Sequence, residues 1–258
     1  MIDSQEPSPP DPIDYLDQVA ASAPGRAYKR QVLGLLGLRP GQTVVDLGCG
    51  PGTDLGAMAD AVAPGGRVIG VDRDPAMVAE ARSRLAGRPG AEVRSGDVRA
   101  LPLEDGSVDR ARTDRVLQHV EEPSRVLAEF RRVARPGGRI VMAEPDWDGL
   151  LIDSRDVVMS RRLTRFVATE VVRNAAVGRG LARLCEEAGL TVRSVSAVAP
   201  VFRDFDTADR LLGLRRTVVR AMRAGVLGPG AEEWIEELRS RPFLASFLLF
   251  LVTAEAPG

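Results

Sequence analysis

The sequence predicts an α/β domain on a doubly wound, mostly parallel sheet, and three observations carry that prediction. From Thr43 to Pro145 short apolar runs alternate with amphipathic stretches, the pattern of a parallel sheet with helices on both faces. The run Val44-Val45-Asp46-Leu47-Gly48-Cys49-Gly50-Pro51-Gly52-Thr53 reads as an apolar strand entering a glycine-rich turn and a helix start. Val68-Ile69-Gly70-Val71-Asp72 reads as a second strand ending in a carboxylate, placed where a nucleotide-binding βαβ unit holds its ribose-binding acid. Together they point to an adenosine-containing small molecule.

The elements follow in order. Residues 1–12 form an acidic, proline-rich stretch, read as a flexible arm without the basic start and apolar run of a secretory signal. Residues 13–38 carry helical apolar faces through Leu16, Val19 and Ala20, then Val32, Leu33, Leu35 and Leu36. Residues 39–150 hold five strands and their crossovers. Asp153 to Ala176 reads as a helical excursion without a strand, and Gly180 to Ala188 as a crossover helix ended by Gly189. Leu190 to Phe205 contains the sixth strand. Asp206 to Arg241 is a second helical excursion, divided by Gly228-Pro229-Gly230. The apolar run Phe243 to Val252 is too short to cross a membrane as a helix and reads as a buried final strand. Residues 179–205 and 242–258 thus complete the core, and 151–178 and 206–241 are inserted at the ligand edge of the sheet, as a substrate cap or a subunit contact.

The glycine spacing decides the nucleotide. A dinucleotide loop requires Gly-x-Gly-x-x-Gly, but counting from Gly48 and Gly50 that third position is Thr53, and the third glycine is Gly52. The resulting Asp-x-Gly-x-Gly-x-Gly resembles motif I of the class I S-adenosylmethionine (SAM) methyltransferases. Three further segments resemble that family in order. Ser95-Gly96-Asp97-Val98 resembles its adenine-binding element, Val108 to Val120 its fourth strand and exit, and Arg135-Pro136-Gly137-Gly138-Arg139 the turn before its fifth strand. Within the family the chain looks most like the ubiquinone and menaquinone biosynthesis subgroup of small-molecule enzymes. The resemblance implies a Rossmann-like, seven-stranded sheet with an antiparallel last strand, in one methyltransferase domain over 1–258.

Composition agrees. The 35 basic and 36 acidic residues nearly cancel, so no charge footprint for nucleic acid is present. All basic residues except Lys29 are arginine. Two cysteines, Cys49 and Cys185, make no disulfide framework and fit a reducing cytoplasm. No spacing demands a metal, although Asp114 and Asp146 could be recruited to one, and a metal-independent reaction is expected.

The resemblance assigns the cofactor contacts residue by residue. Asp46, Gly48, Cys49 and Gly50 line the methionyl and ribose side, and Asp72 takes the ribose hydroxyls. Arg73 and Met77 flank the adenine, and Gly96, Asp97 and Val98 read its edge. Thr113, Asp114, Arg115 and His119 cradle the methionine end, with Tyr15 and Lys29 reaching from the N-terminal helices toward the carboxylate. The product would be S-adenosylhomocysteine.

Candidate chemistry is sparse, because a sulfonium is already an activated leaving group and alignment does most of the work. His119, the lone histidine, reads as a general base or as a packing or cofactor-contact residue. Glu144 and Asp146, at the end of strand five, are carboxylates that could take a proton or hold a cation, and Trp147 could wall the substrate. Glu170, Arg173 and Asn174 read as site-lining polar residues or as a solvated helix face. The expected activity is methyl transfer to a small quinone-, prenoid- or aromatic-type metabolite. The alternative is a non-methylating reaction, pericyclic or decarboxylative, on the same fold. A nicotinamide oxidoreductase is disfavoured by the glycine spacing, and a macromolecular methyltransferase by the insertions and neutral charge. The expected partners are a small-molecule substrate and a second copy in a homodimer, without nucleic acid or stable membrane insertion.

Overall fold

A computed structural model describes residues 8–258, so residues 1–7 of the expected arm lie outside the described residues. Helix α1 (Pro12–Ala21) starts at Pro12, capped by the Asp11 carboxylate, which accepts from the Ile13 and Asp14 N–H groups. Helix α2 (Ala23–Leu36) is capped by Ser22 and ends at Gly37 in the left-handed region. The extended Ser22 backbone separates the two N-terminal helices.

Six elements then alternate: β1 (Thr43–Leu47), α3 (Leu55–Val62), β2 (Arg67–Asp72), α4 (Pro75–Arg84), β3 (Ala91–Ser95) and β4 (Val108–Asp114). A 3-10 turn (Leu117–His119) leads to α5 (Pro123–Val133), which passes directly into β5 (Ala134–Ile152). Then come α6 (Val157–Phe166), a π turn (Val167–Val171), α7 (Val177–Glu187), β6 (Thr191–Val198), β7 (Val201–Phe202), α8 (Phe205–Leu212), α9 (Leu214–Arg223), α10 (Ala231–Arg239) and β8 (Ala245–Glu255).

The sheet order is β3-β2-β1-β4-β5-β8-β6, with the short β7 on β8. The first five strands are parallel, and β8 is antiparallel to both β5 and β6. The predicted seven-stranded sheet with an antiparallel last strand is present, with the two-residue β7 added. Strand β1 has β2 on one side and β4 on the other, so the chain reverses its winding direction there. Ligands enter open α/β sheets at this point, outside the carboxyl ends of the strands.

Three boundaries depart from the sequence reading. Strand β5 runs past Pro145 to Ile152, because β4 pairs with β5 only as far as Ala143. Beyond it one side of β5 is open, and a residue without an N–H costs no ladder bond there. The first excursion is helical only from Val157, and its last turn loosens into the π turn. The second contains three helices, because Gly213 at φ 66° breaks it before the expected Gly228-Pro229-Gly230 interruption.

Three apolar clusters fill the molecule. One packs α2, β5, β8 and the helices of both excursions, a second lies beneath α5 and α7, and a third beneath α3 and α4. Two arginines on β4 need partners if that strand is buried. Arg110 resolves this by donating to the Leu36 and Asp109 carbonyls. Arg112, only 2 % exposed, is surrounded by carboxylates.

Candidate active site

The glycine loop after β1 turns because Gly48 takes φ 69°, and because a Cβ there would collide with the Val116 side chain. Its N–H groups are then spent in sequence. Gly48 and Cys49 donate to the Val71 carbonyl, and Gly50 donates to Asp72 Oδ2 at 2.9 Å. The acid at the end of β2 thus fixes the loop with one oxygen. Its other oxygen accepts from Asp74 N–H at the entry to α4.

A cleft of about 520 Å³ opens above these strand ends. Gly48, Gly50, Asp72, Arg73 and Met77 line one side, and Gly96, Asp97 and Val98 the next. Asp114, Arg115 and His119 close the β4 side, with Tyr15 from α1 overhead and Arg173 at the rim. Most residues assigned to the cofactor from sequence are therefore brought together. Asp97 is held by Arg99, which donates at 2.7 Å and lowers the pKa of the acid.

Four assigned cofactor residues lie elsewhere. The Cys49 side chain packs against Gly70 in the core, where burial raises its thiol pKa. Thr113 is buried and donates to the Leu47 carbonyl at 3.2 Å, joining β4 to β1. Lys29 and Asp46 lie behind the glycine loop, in a small charged cavity that also contains Asp54, Arg112 and Asp114. Lys29 Nζ contacts Asp54 at 2.5 Å and Asp114 at 3.1 Å. Arg112 reaches Asp46 at 3.3 Å, Asp54 at 2.5 Å and Asp114 at 3.3 Å. Burial pushes Asp46 up to about 6, against the pull of Arg112. At Asp54 and Asp114 the cations outweigh burial and lower both pKa values. This cluster supports the loop from below.

The strand-five acids also depart from their expected roles. Glu144 is fully buried and accepts from the N–H groups of Val116 and Leu117 at 2.8 Å and of Gln118 at 3.3 Å. Burial raises its pKa to about 8, opposed by those three donors. It organises the 3-10 turn and does not face the cleft. Asp146, 1 % exposed, is held by the Arg179 guanidinium. Asn174 donates to the Leu117 and Val120 carbonyls at 2.7 and 2.6 Å, fixing the same turn from the opposite side. Glu170 is exposed on the π turn, away from the cleft.

His119 is thus carried on a turn anchored by Glu144 and Asn174. Its ring sits at the cleft mouth, where desolvation and then the charges of Arg115 and Arg73 lower its pKa. A neutral imidazole can accept a proton.

Beside the cleft lies an apolar chamber that sequence reasoning missed, apart from Tyr15, Arg115 and Trp147. Tyr28, Phe202, Leu211, Phe247 and Leu249 line it with those three. Trp147 stacks on Phe247 with centroids 4.9 Å apart and donates from Nε1 to Gln118 at 2.7 Å. Helical spacing on α1 aligns Pro12, Tyr15, Leu16 and Val19, a signal that could have extended the Tyr15 assignment to its neighbours. Nothing in the run 243–252 marks Phe247 as a wall residue before β8 is paired.

Among the described residues no group of three or more His, Cys, Asp or Glu side chains is arranged to hold a metal. The residues present fit SAM: a tight loop with no Cβ over its glycines, a strand-end acid for the ribose, and a flat apolar contact at Met77.

Comparison with known proteins agrees. The chain is 52% identical over 252 residues to an uncharacterized 37.1 kDa protein of transposon Tn4556 from Streptomyces fradiae, covering 97% of this chain and 73% of that protein. It is 38% identical over 137 residues to the demethylmenaquinone methyltransferase of Beutenbergia cavernae, covering 52% of this chain and 55% of the relative. Across relatives with a named activity it spans about half their length or less, 28% for the arsenite methyltransferase of Halobacterium salinarum. The fold resembles geranyl diphosphate C-methyltransferase from Streptomyces coelicolor, with a TM-score of 0.57 at 18% identity, covering 90% of this chain and 76% of that one. Residues 38–189, more than half of the chain, match the methyltransferase domain family. The chain belongs to that family of SAM-dependent methyltransferases.

Proposed function

We propose that this chain is a cytoplasmic, metal-independent enzyme that transfers a methyl group from SAM to a small, largely apolar acceptor. The observation that carries this reading is the junction of two unlike cavities, a polar cleft over the strand ends and an aromatic chamber beside it. Small-molecule sites combine apolar walls with a few placed polar groups, and here the two kinds of lining meet at Tyr15 and Arg115.

Asp72 would hold the ribose hydroxyls, Met77 and Val98 the adenine faces, Asp97 its polar edge, and Gly48, Gly50 and Asp114 the amino-acid end. When bound, SAM supplies a methyl carbon on a positively charged sulfur. The chamber walls orient the acceptor and exclude water. His119 takes the proton of an O–H or N–H acceptor as the new bond to carbon forms; a base so placed contributes about 10²- to 10⁴-fold. The excursion helices, of which α8 supplies Leu211 and Leu212 to the chamber, act as the substrate cap.

The first experiment is thermal unfolding with S-adenosylhomocysteine, SAM and NAD in parallel. At a hundredfold excess over its dissociation constant a ligand adds about 2.7 kcal/mol, a rise of roughly 5 to 10 °C for a chain this size. A rise with the sulfur ligands alone, followed by a methyl mass gain on an acceptor, is the expected result. A rise with NAD alone overturns the reading. A second reading, rearrangement without methyl transfer, draws on the fold it shares with the [4+2]-cyclase SpnF at a TM-score of 0.57. A product without added mass would favour it.

A further inference from the structure

Arg115 is the one residue that lines the cofactor cleft, the aromatic chamber and the charged cavity behind the loop. Its backbone sits at φ 57°, the only non-glycine positive φ among the described residues, held there by an N–H bond to the Ala143 carbonyl at 2.8 Å. Such a backbone is strained for an arginine and tends to persist at ligand clamps. The strain aims the guanidinium at the boundary between cleft and chamber.

The Tyr15 side chain hydrogen-bonds the guanidinium, but its Nε has no hydrogen-bond partner, and its nearest acid, Asp114, is 3.7 Å away. Asp114 already accepts from Lys29, Arg112 and Tyr28. An anion on the acceptor would give Arg115 the close partner that Asp114, shared with Lys29, Arg112 and Tyr28, does not supply.

We propose that Arg115 is the acceptor-specificity residue, and that it recognises an anionic group, a carboxylate or a phenolate, on a flat apolar acceptor whose body lies against Trp147 and Phe247. This rests on the methyltransferase reading above. The chamber has only about 30 Å³ free, so entry displaces the Tyr15 side chain from its hydrogen bond to the Leu211 carbonyl, 3.2 Å long. The recognition is charge-assisted, and the aromatic wall selects shape.

The test is isothermal titration of the full chain, saturated with S-adenosylhomocysteine, using 1-naphthoate and its neutral analogue 1-naphthalenemethanol. Naphthoate is expected to bind more tightly than the alcohol. In Arg115→Met that preference is expected to disappear, with naphthoate affinity falling about tenfold or more, while Arg115→Lys recovers part of it. Because Arg115 also lines the cofactor cleft, affinity for S-adenosylhomocysteine is measured separately in each variant, and the naphthalenes are titrated only at its saturation. Arg115→Gly, which relieves the positive φ, serves as the charge-free variant if Arg115→Met does not fold. Equal binding of the two naphthalenes, no binding of either, or a loss confined to S-adenosylhomocysteine overturns the proposal. Failure of the wild type to bind S-adenosylhomocysteine would instead refute the underlying cofactor assignment.

Discussion

The cofactor cleft and the aromatic chamber share two residues yet are built by opposite means. The cleft is made mostly of short segments at strand ends, 48–50, 72–77, 96–99 and 114–121, each a local motif with its own turn chemistry, with Pro12, Tyr15, Leu16 and Arg173 added from outside them. The chamber takes one to three residues each from α1, α2, β5, β7, α8 and β8, joined only by tertiary packing. On the proposed reading, cofactor binding follows from local backbone geometry, whereas acceptor choice would rest on long-range assembly and could change without disturbing the cofactor half.

The strongest way to break that separation is at the ion cluster beneath the cleft. Arg112→Met leaves three buried carboxylates with Lys29 and, 3.7 Å from Asp114, Arg115 as their remaining cations, and is expected to cost about 3–5 kcal/mol, a drop of roughly 10 °C in Tm read by calorimetry. It should weaken both halves together. Asp72→Asn sharpens the contrast: the dissociation constant for S-adenosylhomocysteine should rise about 10- to 100-fold, with binding of a chamber ligand to the free enzyme unaffected. A comparable loss of chamber binding would show that the cavities are energetically one.

Asn174→Ala should cost about 1–2 kcal/mol by removing its bond to the Val120 carbonyl and leaving the Leu117 carbonyl with only the long Val120 N–H bond, and should lower methyl transfer more than cofactor affinity, as measured by single-turnover assay and titration. The smallest effect concerns pH. The His119 pKa is lowered in the fold, so its neutral ring adds stability that is complete above its unfolded value of about 6.5 and is lost as pH falls through the lowered folded value. The Tm of wild type should therefore fall more between pH 7 and pH 5 than that of His119→Gln. An identical fall in both would remove His119 from the account.

The departures between sequence and structure follow the same division. Gly48, Asp72 and Asp97 were legible because a sharp turn at a strand end and a carboxylate one strand later are requirements of backbone geometry. Glu144 was misread because its position at a strand end is shared by acids that face a ligand; only the fold places three N–H groups of a distant turn around it. Asp146 and Asn174 were likewise taken by partners far along the chain, Arg179 and the carbonyls of the His119 turn.

By itself, then, the sequence determined the doubly wound sheet, the glycine loop and the strand-end acid that fixes it, because hydrophobic periodicity and glycine spacing act over a few residues. Tertiary structure alone decided which strand-end carboxylates are structural, how Arg112 finds its partners, and where the aromatic wall stands. Those outcomes depend on contacts between residues such as Trp147 and Phe247, a hundred positions apart, whose meeting is settled by the pairing of β5 with β8.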